Sequence, residues 1–96
     1  MPELKKYKMF INGEWVNSDT EKIFETLNPE NNKPWAVVPE ASASDVDRAV
    51  KAAQNAFEGE WPKLLPKERA RYLRMIGDKL RENAEHLGKI ETIDTG

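Results

Sequence analysis

The longest regular pattern of apolar side chains runs from Pro66 to Asp94. Its steps of three or four place the apolar residues along one face of a helix and leave charged residues on the other. Asn83 can cap a new helix with its side-chain oxygen, so the pattern predicts two segments, 67–82 and 84–94. The apolar positions are Ala70, Leu73, Ile76, Leu80, Ala84, Leu87 and Ile90.

A second helical pattern begins after Ser42 and Ser44, and either serine can cap it. Asp47, three residues beyond Ser44, would supply the acid of a capping box. Most residues of this stripe are small, which lets another helix approach closely, so we expect an antiparallel pair with the helix that follows Pro66. The stripe consists of Val46, Ala49, Val50, Ala53, Ala56 and Phe57.

Short strand patterns fill the region before these helices. Segments 7–11 and 14–16 flank Asn12-Gly13, the dipeptide that suits a type I′ hairpin turn. Segment 23–27 ends at Asn28-Pro29, and segment 35–38 returns from the turn that follows. The predicted fold class is α+β: two hairpin-like strand pairs within residues 1–43, then an antiparallel helix pair within 44–96, in a single unit.

Composition narrows the possible functions of the 96 residues. Fifteen basic and seventeen acidic residues give a net charge of −2 without segregation of charge, which argues against nucleic acid or an anionic membrane as partner. No stretch approaches the roughly eighteen apolar residues of a membrane span, and the opening residues lack the apolar core of a signal peptide, so we expect a cytoplasmic protein. The absence of cysteine excludes disulfides, thiolate metal sites and thiol nucleophiles within these residues.

Individual residues that could carry chemistry have simpler interpretations. His86 is the one histidine and has no second ligand at metal spacing, so it is predicted to lie on the surface. Trp15, Trp35 and Trp61 stand beside apolar neighbours and are predicted to pack in the core rather than stack on a ligand. No spacing brings two carboxylates together as an acid–base pair, and the residues themselves predict no catalytic group.

Four stretches, taken in order, resemble the opening of an NAD(P)-dependent aldehyde dehydrogenase, and together they cover nearly the whole chain. Each stretch alone is a weak signal, but their order is that of the family. They are FINGEWV at 10–16, FETLNP at 24–29, DVDRAV at 45–50 with the alanine pair at 52–53, and ER at 68–69 with ETIDTG at 91–96.

The resemblance implies an activity for a longer polypeptide. In the family a cysteine thiolate attacks the aldehyde, the thiohemiacetal passes a hydride to NAD or NADP, and a glutamate base activates the water that releases the carboxylic acid. This chain has neither a cysteine nor the glycine-rich turn that holds a dinucleotide. The resemblance therefore implies a truncated, non-catalytic opening segment of the cofactor-binding domain, inactive alone, without catalytic or cofactor-binding residues.

The resemblance also implies partners. These are the rest of the dehydrogenase chain, an aldehyde substrate for the complete enzyme, and further copies in a homo-oligomer. The ending ETIDTG is similar to members that act on betaine aldehyde and amino-aldehydes. The sequence leaves the substrate, and the choice between NAD and NADP, open.

One site carries over by resemblance, a structural monovalent cation, K⁺ or Na⁺. In many members backbone carbonyls before the Asn-Pro turn and an aspartate near the final Thr-Gly hold this ion, and these positions match Thr26, Leu27 and Asp94. Oxygen ligands suit a hard cation. The alternative is that Asp94 bonds only to nearby backbone N–H groups at a helix end.

A second function, from another class, is a stand-alone helical hairpin that binds a partner or a second copy without catalysis. The helices could bury their apolar stripes in such a contact. A chain this short buries a modest fraction of its surface. The isolated chain is therefore predicted to self-associate or to be partly disordered.

Overall fold

The computed structural model describes residues 4–96 and contains five strands and three α-helices in that part of the chain. These elements agree with the predicted α+β class. They are β1 (Lys5–Lys6), β2 (Met9–Ile11), β3 (Glu14–Val16), β4 (Ile23–Asn28), β5 (Lys33–Pro39), α1 (Ala43–Glu58), a 3₁₀ turn (Trp61–Lys63), α2 (Pro66–Glu82) and α3 (Ala84–Thr95).

The strands form two separate sheets. β2 and β3 make a two-stranded antiparallel hairpin, while β4 and β5 pair antiparallel in a three-stranded sheet of order β1-β5-β4. The two predicted strand pairs are confirmed. The sequence did not predict β1, which pairs parallel with β5, because two lysines carry no alternation of apolar and polar residues.

The hairpin turn has the geometry that its sequence predicts. Asn12 and Gly13 have φ angles of 53° and 78°, the positive values that both central residues of a type I′ turn require. The turn between β4 and β5 uses another left-handed residue, Asn32 at φ 57°, whose N–H donates to the carbonyl of Asn28 at 2.7 Å. Asparagine tolerates this conformation better than most residues.

Helix α1 starts earlier than the capping box through Ser44 and Asp47 would place it. Ser42 is the N-cap: its hydroxyl accepts from the Asp45 N–H at 3.1 Å, and the Asp45 carboxylate accepts from the Ser42 N–H at 2.9 Å. The prediction that Asp47 is the acid of the box is therefore wrong. Ser42 lies in an extended conformation, which points its hydroxyl at the first turn, whereas Ser44 is already helical.

The predicted break between α2 and α3 is confirmed at Asn83, but the predicted cap is wrong. The Asn83 side chain makes no capping bond to α3; instead its Nδ2 donates to the carbonyl of Lys79 at 2.9 Å. The side chain thus closes the end of α2. The same carbonyl also accepts from the Asn83 main-chain N–H at 3.2 Å, so main chain and side chain of Asn83 together end the helix.

The predicted antiparallel pair of α1 and α2 is wrong. Within residues 4–96, α1 lies against the 3₁₀ turn and β2, whereas α2 lies against α3 and does not pack along α1. Phe57 of α1 and Leu73 of α2 are 72% and 64% exposed. The alanines of the α1 stripe offer too little apolar surface to hold α2. The described residues form an elongated molecule of 50 × 34 × 18 Å.

The buried apolar core lies on β5, where Ala36 and Val37 are the buried hydrophobic residues of the described chain. Trp35 beside them is partly buried, but Trp15 is 68% exposed and its ring packs on that of Phe10, with ring centroids 4.8 Å apart. The prediction that all three tryptophans pack in the core is therefore wrong for Trp15 and for Trp61, which is also exposed. Among the described helices, none is long and apolar enough to cross a membrane.

Candidate cation site and buried aspartate cluster

Two of the three residues predicted to hold a cation, Thr26 and Asp94, meet where the end of α3 lies against β4, through the hydroxyl of Thr26 and not its main-chain carbonyl. The Thr26 hydroxyl donates to Oδ1 of Asp94 at 2.7 Å, across 68 positions of sequence. Gly96, at φ 81°, ends α3, and a Cβ built on it would lie 3.7 Å from Cβ of Pro29. The ending of the chain and the Asn28-Pro29 turn are therefore neighbours in space.

The ladder between β4 and β5 is irregular at the same place. Thr26 pairs with Ala36 and Leu27 pairs with Pro34, which leaves Trp35 as an extra residue on β5. A bulge of this kind bends its strand and re-aims a side chain. Leu27, the third predicted ligand, follows this bulge with its side chain 45% exposed.

An apolar recess opens beside the Thr26–Asp94 contact. The Tyr7 and Trp35 rings meet edge to face at a centroid distance of 6.1 Å, and Ile90 of α3 closes one side. Nε1 of Trp35 is buried and has no hydrogen-bond partner within residues 4–96. The recess is lined by Tyr7, Phe24, Thr26, Trp35, Ala36, Val38, Ile90 and Asp94.

Side chains that bind transition metals do not converge in the described chain. Residues 4–96 contain no group of three His, Cys, Asp or Glu side chains placed to hold a metal ion. His86 is exposed on α3, as predicted. Main-chain oxygens and a single carboxylate, the predicted ligand set at β4, belong to another class of site, one that suits a hard cation of low charge.

The best-formed polar cluster surrounds Asp45 at the start of α1. Its side chain is 1% exposed; Oδ2 accepts from the Ser18 hydroxyl at 2.7 Å and from the Ser42 N–H at 2.9 Å. Oδ1 accepts from the Asp19 N–H at 3.2 Å and forms an ion pair with Arg48. The cluster joins the loop after β3 to the first turn of α1, across more than twenty residues of sequence.

These contacts strongly lower the pKa of the Asp45 carboxyl. The bond from the Ser42 N–H has the largest effect; burial opposes it, and the Ser18 hydroxyl, Arg48 and the Asp19 N–H add to it. Asp45 is therefore a buried, ionised anchor between two segments. No element of the cluster offers a free nucleophile or a group poised to exchange a proton near neutral pH.

Sequence reasoning missed Asp45 as a cluster residue. The motif that could have identified it is Ser42-x-x-Asp45, a capping box with aspartate in place of glutamate. No local pattern indicates that Ser18, 27 positions away, also reaches the carboxylate.

The chain matches the aldehyde dehydrogenase family model over residues 15–96. It is 47% identical over 88 residues to an aldehyde dehydrogenase of Aspergillus niger, covering 92% of this chain and 18% of that protein. Its fold superposes on the NAD⁺ complex of a Bacillus cereus aldehyde dehydrogenase with a TM-score of 0.91 and 44% identity, over 96% of this chain and 19% of the other.

A second solved structure is a betaine aldehyde dehydrogenase of Staphylococcus aureus in complex with NAD⁺. The TM-score is 0.88 at 39% identity, covering 93% of this chain and 18% of that one. The chain thus spans between about a tenth and a fifth of the length of the relatives it matches. Because the family model matches most of its residues, this chain belongs to the aldehyde dehydrogenase family.

Proposed function

We propose that these 96 residues form the opening part of the cofactor-binding domain of an aldehyde dehydrogenase that oxidises an aldehyde to a carboxylic acid with NAD⁺ or NADP⁺. The observation that carries this proposal is the fold agreement with NAD⁺-bound dehydrogenases across nearly all of the chain. Strands and helices from this segment would brace the nucleotide fold contributed by later residues. The segment by itself is inactive, because it has no cysteine to attack the aldehyde.

Turnover by the complete polypeptide tests this proposal. The complete enzyme should reduce NAD⁺ or NADP⁺ when given an aldehyde, as followed by the absorbance of the reduced nicotinamide. Betaine aldehyde, an amino-aldehyde and an uncharged aliphatic aldehyde should be compared, since the ending of this chain resembles members that use the first two. Reduction of the coenzyme by the isolated 96-residue chain, or none by the complete polypeptide with any aldehyde, would contradict the proposal.

The exposed apolar residues of α1 and α2 favour this function over a stand-alone helical hairpin. A helical hairpin needs α1 and α2 packed along each other, and in the structure α2 packs against α3 instead. Apolar surface on both helices instead suits contact with the remainder of a larger domain. We extend the proposal to a homo-oligomer in the cytoplasm, for which size measurement and localisation of the complete polypeptide are the tests.

We also propose a K⁺ or Na⁺ site formed by the main-chain oxygens of Thr26 and Leu27 and the carboxylate of Asp94. The contact between Thr26 and Asp94 supports it, and so does the place of β4 at the edge of its sheet, because an edge strand leaves a row of main-chain oxygens without ladder partners. Further oxygen ligands would come from water or from the rest of the domain.

Ion-dependent stability tests this site in the complete enzyme. Thermal unfolding should occur at a higher temperature in potassium or sodium chloride than in tetramethylammonium chloride of equal ionic strength, because an ion bound only by the folded state stabilises it. Asp94→Asn should remove this difference. Glu91→Gln, one turn earlier on the exposed side of α3, is the matched control and should preserve it. Equal unfolding temperatures in all three salts would reject the site.

A further inference from the structure

We propose that Asn12, in the turn between β2 and β3, is a site of spontaneous deamidation. Asn12 and Gly13 are both exposed, and no atom beyond Gly13 and its two chain neighbours lies within 4 Å of the position that a Cβ on Gly13 would occupy. Because residue 13 is glycine, its main-chain nitrogen has no adjacent side chain to hinder attack on the amide carbon of Asn12, and the surroundings of the turn are open. Asn12 makes no side-chain hydrogen bond to any residue from 4 to 96.

The other asparagines of the chain differ in the residue that follows them, and some differ also in their hydrogen bonds. None precedes a glycine, and Asn28 precedes proline, which has no N–H to attack with. Several also have their amides held in place: Oδ1 of Asn28 accepts from the Glu30 N–H at 2.9 Å, and Nδ2 of Asn83 donates to Lys79 at 2.9 Å. Asn12 is therefore the asparagine whose amide is both unrestrained and next to an unhindered nucleophile.

The reaction needs water and no other reagent. The Gly13 nitrogen forms a bond to Cγ of Asn12, its proton passes to the departing amide nitrogen, and ammonia leaves a cyclic imide. Water then opens the ring at one of its two carbonyls. Opening at one side gives aspartate, and opening at the other gives an isoaspartyl link in which the main chain runs through the former side chain.

The attack requires the turn to open, because closing the five-membered ring needs the main chain and side chain of Asn12 to rotate, and the paired turn holds Asn12 at φ 53°. β2 and β3 have three residues each and form a sheet of their own. Two-stranded hairpins are marginally stable in water, and elements with few buried contacts open at low free-energy cost. Phe10 and Trp15 on this hairpin are 60% and 68% exposed.

The two products should affect the hairpin differently. Aspartate at position 12 keeps the Asp-Gly type of turn, and its new carboxylate would share a surface depression with Arg48 and Lys51 of α1. The isoaspartyl product adds one carbon to the main chain between the paired residues Ile11 and Glu14, so it breaks the two-residue turn. Deamidation therefore adds negative charge in one product and disrupts the β2–β3 hairpin in the other.

Peptide mapping of the folded chain after incubation at mildly alkaline pH and body temperature tests the inference. We expect conversion at Asn12 to be faster by about tenfold or more than at any other asparagine, a factor that corresponds to about 1.4 kcal/mol in the barrier. An isoaspartyl methyltransferase assay should label the same peptide. Faster conversion at Asn17 than at Asn12, or loss of the Asn12 amide only in chain unfolded by urea, would overturn it.

Three variants complete the test. Asn12→Asp removes the amide, so the mass change of the peptide should disappear, while Asn17→Asp should leave conversion at position 12 unchanged. Gly13→Ala should slow conversion by about tenfold when both chains are compared unfolded in urea, because a methyl group hinders the attacking nitrogen and the stability of the turn no longer affects the rate. If Gly13→Ala converts as fast as the parent chain in urea while Asn12→Asp is silent, attack by this nitrogen is excluded.

Discussion

The charge of Asp45 links the stability of this chain to pH. Its pKa is lowered in the folded state relative to the ordinary value of about 3.9 in an unfolded chain. A lowered folded pKa stabilises the fold above the unfolded pKa, and this contribution is lost as pH falls below it. The free energy of unfolding should therefore decrease as the solution is acidified below about pH 4.

Urea denaturation at neutral and acidic pH measures this effect. Asp45→Asn cannot ionise, so the variant should be less stable at neutral pH and lose less stability on acidification than the parent chain. Asp47→Asn, on the exposed side of the same helix, is the control because its side chain is 61% exposed and pairs only with Lys51. Equal pH dependence in the Asp45→Asn variant and the parent chain would show that Asp45 is not the anchor.

Ser42 caps α1 and Ser44 lies within the helix, so alanine should have different effects on stability at the two positions. Ser42→Ala removes the acceptor for the Asp45 N–H and should lower the free energy of unfolding by about 0.5–2 kcal/mol. Ser44→Ala should be neutral or slightly stabilising, since alanine is the better helix former. The urea midpoints of the two variants decide the capping residue. A larger loss for Ser44→Ala would assign the cap to Ser44.

Replacing glycine by alanine should lower stability at Gly13, in the β2–β3 turn, and raise it at Gly88, in α3. Gly13 has φ 78° in the β2–β3 turn, so Gly13→Ala should cost about 1–2 kcal/mol of hairpin stability from conformation alone. Gly88 lies within α3 with open space around it, so Gly88→Ala should stabilise that helix by about 0.5–1 kcal/mol. Circular dichroism and hydrogen exchange at the two elements measure both changes. Equal signs would contradict these backbone conformations.

Elements specified by adjacent residues were predictable from the sequence, and elements specified by distant ones were not. The Asn12-Gly13 turn and the break at Asn83 depend on their own conformational preferences, and both are present. β1 forms because β5 offers it an edge, and two lysines carry no pattern that reveals this. In the candidate site, the family resemblance selected Thr26 and Asp94, but the side-chain contact between them comes from the tertiary fold.

At the scale of the whole molecule, the arrangement of α1 and α2 could not be predicted from the sequence either, because it depends on distant residues. Periodicity shows that each helix has an apolar face, but it does not identify the surface that will cover that face. The sequence analysis predicts that the two faces pack against each other, but in the structure both are exposed to water. The relatives, of which this chain spans between about a tenth and a fifth, have much further surface that could cover such faces.

The open face of α2 should make the isolated chain self-associate. Leu73, Ile76 and Leu80 are each more than half exposed on this helix, and contiguous apolar surface of this kind drives association. Sedimentation velocity should show an average mass that rises with concentration. Replacing Ile76 and Leu80 together by glutamine, a good helix former, should shift the chain toward monomer. The control replaces Asp78 and Arg81 by glutamine, which keeps the net charge and the apolar face and should leave association unchanged. A monomer at every concentration, or equal association in both double variants, would show that this face does not drive contacts between copies.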